Sequence, residues 1–256
     1  MKFSNIINYP LGLLGLKLVR LSRLNKLQDS SALSVNISDI QTDENFLALY
    51  EKVKSCTMVE IERSFALYKS VNYILKNNIQ GDFVECGVWK GGSCMMIVYI
   101  LMKAGIKDRK IWLYDTFEGM PKPGDKDGEF EMEEWEKQKI NEQTNNWCRS
   151  SIDEVRNNIL QTDYTATNIH FIKGKVEETI PENIPSSIAL LRLDTDWYES
   201  TKHELVYLYP LLVSKGVLII DDYGAWEGAR KATDEYFEGQ QVLLNRIDYT
   251  GRLVIK

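Results

Sequence analysis

Two apolar runs in this chain end in acid. Ile188-Ala-Leu-Leu-Arg-Leu leads into Asp194-Thr-Asp196, and Gly216-Val-Leu-Ile-Ile leads into Asp221-Asp222. A near-continuous run of Leu, Ile and Val fits a strand buried on both faces, as in a parallel sheet. Parallel strands need long crossovers, and the chain supplies them. Further strand-like segments at 82–86, 110–115 and 168–173 alternate with stretches of helical periodicity. That alternation predicts an α/β fold, a mostly parallel sheet with right-handed crossovers and helices on both faces. Near the end, 242–247 and 252–256 flank Asp248-Tyr-Thr-Gly251 and read as a β-hairpin, which adds an antiparallel edge.

Helices are predicted over 44–54, over 60–78 (Phe65, Tyr68, Val71 and Leu75 recur about one turn apart), from after Gly91-Gly92-Ser93 to about Lys103, and over 150–161 with Ser150 or Ser151 as cap. Residues 28–45 are polar and read as a linker. The segment 117–148 is charged, rich in Gly, Pro, Trp and Glu, and lacks a clear strand. The expected organisation is an N-terminal helical extension and linker over 1–54, then one domain over 55–256 with a lid-like insertion at about 120–150. The bland alternative for the insertion is a solvated helix.

Ligands of parallel sheets bind outside the carboxyl ends of the strands. Asp194, Asp196, Asp221 and Asp222 therefore meet at the mouth of one crevice. Like charges that close need a cation or a proton to coexist, and hard oxygen ligands suit Mg²⁺ or Ca²⁺. Single acids could instead cap the following helices, but that reading does not account for two acids at each of two strand ends.

A second constellation sits on the first two strands. Glu85-Cys-Gly87-Val-Trp-Lys-Gly-Gly-Ser93 joins the first strand to its helix, and Asp115 ends the next strand. The turn matches neither the phosphate loop nor the G-x-G-x-x-G dinucleotide fingerprint. An acid at the first strand end disfavours a pyrophosphate and suits a cationic or ribose-bearing ligand. Asp115 fits a ribose acceptor, or a helix cap.

Composition removes several classes. With 31 basic and 37 acidic residues in 256, and a net charge of −6, a nucleic-acid footprint is not expected. Cys56, Cys86, Cys94 and Cys148 show no CxxC spacing, which points to buried thiols in a reducing, cytoplasmic setting. Only His170 and His203 are present, so a general base is expected to be a carboxylate. Near the N-terminus, Leu14, Leu18 and Leu21 share a helical face and Lys17, Arg20 and Arg23 another. This stretch is too short and charged to span a bilayer. Two readings stand: a helix lying on a membrane surface, or one packed on the core or on a second subunit of a homo-oligomer.

Four motifs taken together resemble one family. Phe83-Val-Glu-Cys-Gly-Val-Trp-Lys-Gly-Gly-Ser93, Leu113-Tyr-Asp-Thr-Phe-Glu-Gly-Met-Pro121, Leu193-Asp-Thr-Asp-Trp-Tyr-Glu-Ser-Thr201 and Val217-Leu-Ile-Ile-Asp-Asp-Tyr-Gly224 are similar, in matching order over roughly 55–240, to the macrocin O-methyltransferases. The resemblance implies a Rossmann-like class I methyltransferase fold with a seven-stranded sheet. It implies S-adenosylmethionine and Mg²⁺ as cofactors, and a sugar or glycoside hydroxyl as acceptor. Cofactor contacts would come from Thr57, Met58, Glu85, Gly87, Ser93, Asp115, Gly174 and Val176. Asp194, Asp221 and Asp222 would hold the metal, and Asp196 would be the base. The first 50 residues and the segment 125–150 depart from the family pattern, which leaves the acceptor open. Competing readings are a catechol-like phenol O-methyltransferase, a metal-dependent hydrolase using the same acids, and a non-catalytic membrane-bound scaffold. The lysine base and Asn ligand expected of the phenol enzymes are not found.

Overall fold

The computed structural model describes residues 39–256 except Gln143. The basic leucine-rich stretch, and the linker over 28–38, lie outside the described residues. From residue 39 onward the linker expectation gives way to helix. Asp39–Thr42 forms a helical turn and Glu44–Val53 a regular helix. Ala48–Lys256 forms one compact unit.

Seven strands make one sheet: β1 (Asp82–Cys86), β2 (Ile111–Asp115), β3 (Ile169–Lys173), β4 (Ile188–Leu193), β5 (Leu212–Ile220), β6 (Asn245–Arg246) and β7 (Arg252–Ile255). Their order is β3-β2-β1-β4-β5-β7-β6. β1 to β5 run parallel, and β7 joins β5 antiparallel with β6 beyond it. Strand order reverses between β1 and β4, so the crevice for a ligand opens at their carboxyl ends.

Burial follows the apolar pattern. Every residue of β4 is buried, as are the last five of β5. Val84 and Cys86 of β1 pack with Leu191, Leu193, Leu205 and Ile220 in one core cluster. Alternation turns Phe83 and Glu85 to the opposite face. The parallel register sets Glu85 beside Arg192, the one charged residue of β4. β5 begins four residues before the apolar run of the sequence. There β7 extends the ladder: the Lys215 N–H donates to the Lys256 carbonyl, and the Lys256 N–H to Gly216.

The helix Gly92–Lys103 is buried along most of its length, which explains its apolar sequence. Gly92 is needed at its start, because a Cβ there would overlap the Cys56 carbonyl and Thr57. That contact lays the Thr57–Met58 loop across the helix N-terminus. The helices Ile61–Lys76 and Ile152–Leu160 lie close to their expected ranges, and Ser151, not Ser150, caps the second.

The insertion is anchored by polar contacts. It contains the helix Glu129–Gln138. Buried Asn145 donates through Nδ2 to the Trp135 carbonyl (2.8 Å) and accepts from the Trp147 N–H (2.6 Å). The Trp135 indole donates to the Met120 carbonyl and the Trp197 indole to Pro121, each at 2.9 Å. Asp127 accepts from the Gly124 and Tyr198 N–H groups. These contacts fix 116–150 as a wall of the crevice. Among the described residues, no helix is long and apolar enough to cross a membrane.

Candidate active site

An open cavity of about 1130 Å³ lies at the strand ends, and it gathers the residues of both constellations. Glu85, Gly87, Ser93 and Asp115 line one wall, with Thr57 and Met58 beside them. Gly174 and Val176 follow β3 on the same wall. Asp194, Asp196, Asp221 and Asp222 line the other.

The first wall is built mainly from backbone. Asp115 caps no helix. Its Oδ2 accepts from the Val88 and Trp89 N–H groups (2.7 and 3.2 Å), and Oδ1 from Phe117 (2.6 Å). One carboxylate thereby fixes the turn after β1, where Trp89 and Gly91 have positive φ. Gly87 also has positive φ, and a Cβ there would overlap the Asp194 carbonyl. Gly174 donates to the Asp115 carbonyl (3.0 Å). Glu85 is buried: its Oε1 accepts from Arg192 (2.8 Å), while Oε2 has no partner. Burial pushes its carboxyl up to about 7, against the pull of Arg192.

The second wall is dense in charge. β4 stops at Leu193 and β5 at Ile220, so strand alternation does not decide where these acids point. Backbone bonds continue the register past both ends: the Asp194 N–H donates to Cys86 and the Asp221 N–H to Leu193, each at 2.9 Å. Asp194, Asp221 and Asp222 each present a carboxylate oxygen, all within 4.8 Å of one another. Asp196 has positive φ, which returns its N–H to Asp222 Oδ2 at 3.3 Å. Burial pushes the Asp196 carboxyl up to about 7, while hydrogen bonds to Asp222 and Trp226 hold it down. Burial, with Asp196 and Asp194 alongside, raises Asp222 further. None of these acids caps a helix. The helices after them, Tyr198–Leu208 and Glu227–Phe237, have Trp197 and Trp226 at their N-caps.

Two arginines that the acid pattern alone does not reveal balance this wall. Buried Arg192 donates through Nη1 to Asp194 Oδ2 and through Nη2 to Asp221 Oδ1, both at 2.7 Å. Arg63 pairs with the other oxygen of Asp221 and with Asp248 (3.0 Å) in the hairpin turn. Thr250 of that turn donates to the Asp221 carbonyl (2.6 Å), so the hairpin is tied to the acid cluster. Below Thr195 sits Glu204, fully buried. It accepts from Thr195 Oγ1 (3.0 Å), and burial raises its carboxyl well above the usual range.

Beside Asp196 the cavity is aromatic. Trp147, Trp197 and Trp226 meet edge-on with centroids 5.6–6.0 Å apart, and exposed Phe130 stacks on Trp226 at 6.4 Å. Trp147 and Trp226 line the cavity with Met120 and Pro121. His203 lies away from it, with Nε2 against the Ile180 carbonyl (2.9 Å). All four cysteines are free thiols.

Known proteins are similar to this chain in sequence and in fold. The profile of the macrocin-O-methyltransferase (TylF) family matches residues 17–255. Demethyldecarbamoylnovobiocin O-methyltransferase of Streptomyces niveus is 34% identical over 180 residues, 70% of this chain and 67% of that protein. The 8-demethyl-8-(2,3-dimethoxy-alpha-L-rhamnosyl)-tetracenomycin-C 4'-O-methyltransferase of Streptomyces olivaceus is 34% identical over 198 residues, 76% of this chain and 73% of that protein. The solved structure of the O-methyltransferase NovP superposes with a TM-score of 0.70 at 32% identity, covering 78% of this chain and 82% of that one. The chain belongs to the macrocin-O-methyltransferase family and is an O-methyltransferase.

Proposed function

We propose that the protein transfers a methyl group from S-adenosylmethionine to a hydroxyl of a sugar or glycoside, with a divalent cation, Mg²⁺, held by Asp194, Asp221 and Asp222. The observation that carries this reading is the pairing of Glu85 and Asp115 with the acid cluster across one cavity. The tetracenomycin relative, named for a rhamnosyl-bearing substrate, supports a sugar acceptor. Free thiols accord with a reducing, cytoplasmic setting.

The residues fit both groups. Glu85 Oε2, buried and unpartnered, is an acceptor without a donor, and the ammonium of an amino-acid moiety would satisfy it. Asp115 Oδ1 accepts one N–H and keeps a lone pair for a ribose hydroxyl. Three carboxylate oxygens within 4.8 Å suit a hard dication, whose opposite ligands lie about 4–5 Å apart. When bound, the cation polarises an acceptor oxygen and lowers the pKa of its proton.

Asp196 would accept the proton of the acceptor hydroxyl, and bound S-adenosylmethionine would supply the methyl group that replaces it. The Asp196 carboxyl, raised to about 7 by burial, is matched to proton transfer near neutrality. The Asp196 N–H bond to Asp222 fixes the backbone that carries this carboxyl. Trp147 and Trp226 offer flat apolar faces to the non-polar side of a pyranose, and the buried Asn145 holds the Trp147 backbone in place. Positioning of this kind supplies roughly 7–11 kcal/mol in well-oriented systems.

Calorimetry with S-adenosylmethionine and Mg²⁺, followed by a methyl-transfer screen over glycosides and sugar nucleotides, tests the reading. Binding of both ligands and transfer to a sugar hydroxyl are expected. Transfer to catechols alone, or hydrolysis without donor binding, would replace it.

A further inference from the structure

Arg192 stands between the two walls. The β1–β4 register sets it beside Glu85, and its guanidinium reaches both sides. Nη1 donates to Glu85 Oε1 (2.8 Å) and Asp194 Oδ2 (2.7 Å), and Nη2 to Asp221 Oδ1 (2.7 Å). The side chain is 2% exposed. One positive charge is thus divided among three carboxylates, of which Glu85 and Asp221 are buried with it and weakly screened. Asp221 has a second cation in Arg63, but Glu85 has no other ion-pair partner among the described residues. How Arg192 shares its charge therefore decides how much negative charge Glu85 presents through its unpartnered Oε2.

We propose that Arg192 couples the methyl-donor site to the dication site, so that each ligand weakens the binding of the other. The inference rests on the functional reading above. A dication on Asp194, Asp221 and Asp222 takes up their negative charge and leaves the guanidinium to Glu85. A more fully neutralised Glu85 holds the donor's ammonium less tightly, and by linkage the donor weakens the cation equally. The spent donor keeps its ammonium, so a cation-loaded site releases product more readily.

S-adenosylhomocysteine tests the coupling without turnover, and its neutral sulfur removes direct repulsion between the sulfonium and the cation. Its Kd is measured by calorimetry with and without saturating Mg²⁺, in wild type and in Arg192→Lys. Lysine keeps the charge but lacks the planar fork that spans three carboxylates. In wild type, Mg²⁺ is expected to raise the Kd about fivefold or more, within the usual range of coupling between sites. In R192K the effect falls below about twofold. If R192K does not fold, Glu85→Gln serves in its place, because it removes the charge that Arg192 shares with the donor side. The same small effect of Mg²⁺ is expected there. A wild-type Kd indifferent to Mg²⁺, or an effect undiminished in the variant, overturns the role of Arg192. No binding of S-adenosylhomocysteine under either condition overturns the donor-site reading itself, and the coupling with it.

Discussion

The two walls of the cavity hold charge in different ways. On the proposed donor wall Asp115 accepts from the backbone of Val88, Trp89 and Phe117, and Glu85 from Arg192, with one Glu85 oxygen left without a partner. The acid wall crowds Asp194, Asp196, Asp221 and Asp222 together, with Arg192 and Arg63 as its cations. Burial there raises Asp196 and Asp222, so protons stand in where positive charge is short. On the proposed reading, one wall is a mould and the other an unbalanced charge that a dication would complete. The contrast teaches that the two ligands should answer to different substitutions.

The sharpest separation is at Asp196. Asp196→Asn should lower kcat by about 10²–10⁴-fold, the usual contribution of a positioned base, while the Kd for S-adenosylmethionine stays within about twofold. Steady-state kinetics beside calorimetry measures both. Full activity in this variant removes Asp196 as the base. On the opposite wall, Asp115→Ala should raise the donor Kd by about ten- to a hundredfold, since one charge-assisted hydrogen bond contributes about 1.5–3 kcal/mol. Mg²⁺ affinity should hold, and an equal loss of both would erase the distinction between the walls.

A smaller effect follows from proton linkage. The Glu85 carboxyl is raised from 4.5 to about 7 and Asp196 from 3.8 to about 7, in both cases by burial. The folded protein therefore binds protons that the unfolded chain has lost. The stability these groups contribute is complete below about 4 and is lost as pH rises through about 7. In chelator, Tm should fall between pH 5.5 and pH 8, and Mg²⁺ should raise Tm more at pH 8 than at pH 5.5. A Mg²⁺ shift independent of pH would mean that the acids carry no shared protons. The smallest change is expected of Trp226→Phe. Losing a hydrogen bond that holds Asp196 down moves the acid limb of the pH–rate profile to higher pH.

The contrast also governs what could be read from sequence. Strands recur near their apolar runs because burial on both faces leaves little freedom in composition. The Glu85–Ser93 turn and Asp115 are legible because each is local to a strand end. The balancing cations are less so. Arg192 leaves a signal, a lone charge in the middle of Ile188–Leu193, which implies a buried partner on a neighbouring strand. Arg63 leaves none: it meets Asp248 across 185 positions, and its place on a helix looks like any surface arginine. The β5 boundary shifts because buried Leu212 already pairs with Ile188 of β4, while exposed Lys215, which breaks the apolar run, is held by the Lys256 carbonyl. Trp147 and Trp226 are visible as residues, but only the fold brings them beside Asp196.

Diffraction from crystals grown with Mn²⁺ in place of Mg²⁺ and with S-adenosylhomocysteine tests the central claim most directly. The account predicts an anomalous peak among the carboxylates of Asp194, Asp221 and Asp222, with the nucleoside along Asp115 and its ammonium at Glu85 Oε2. A metal bound elsewhere, or a nucleoside seated against the acid cluster in place of the cation, would contradict it.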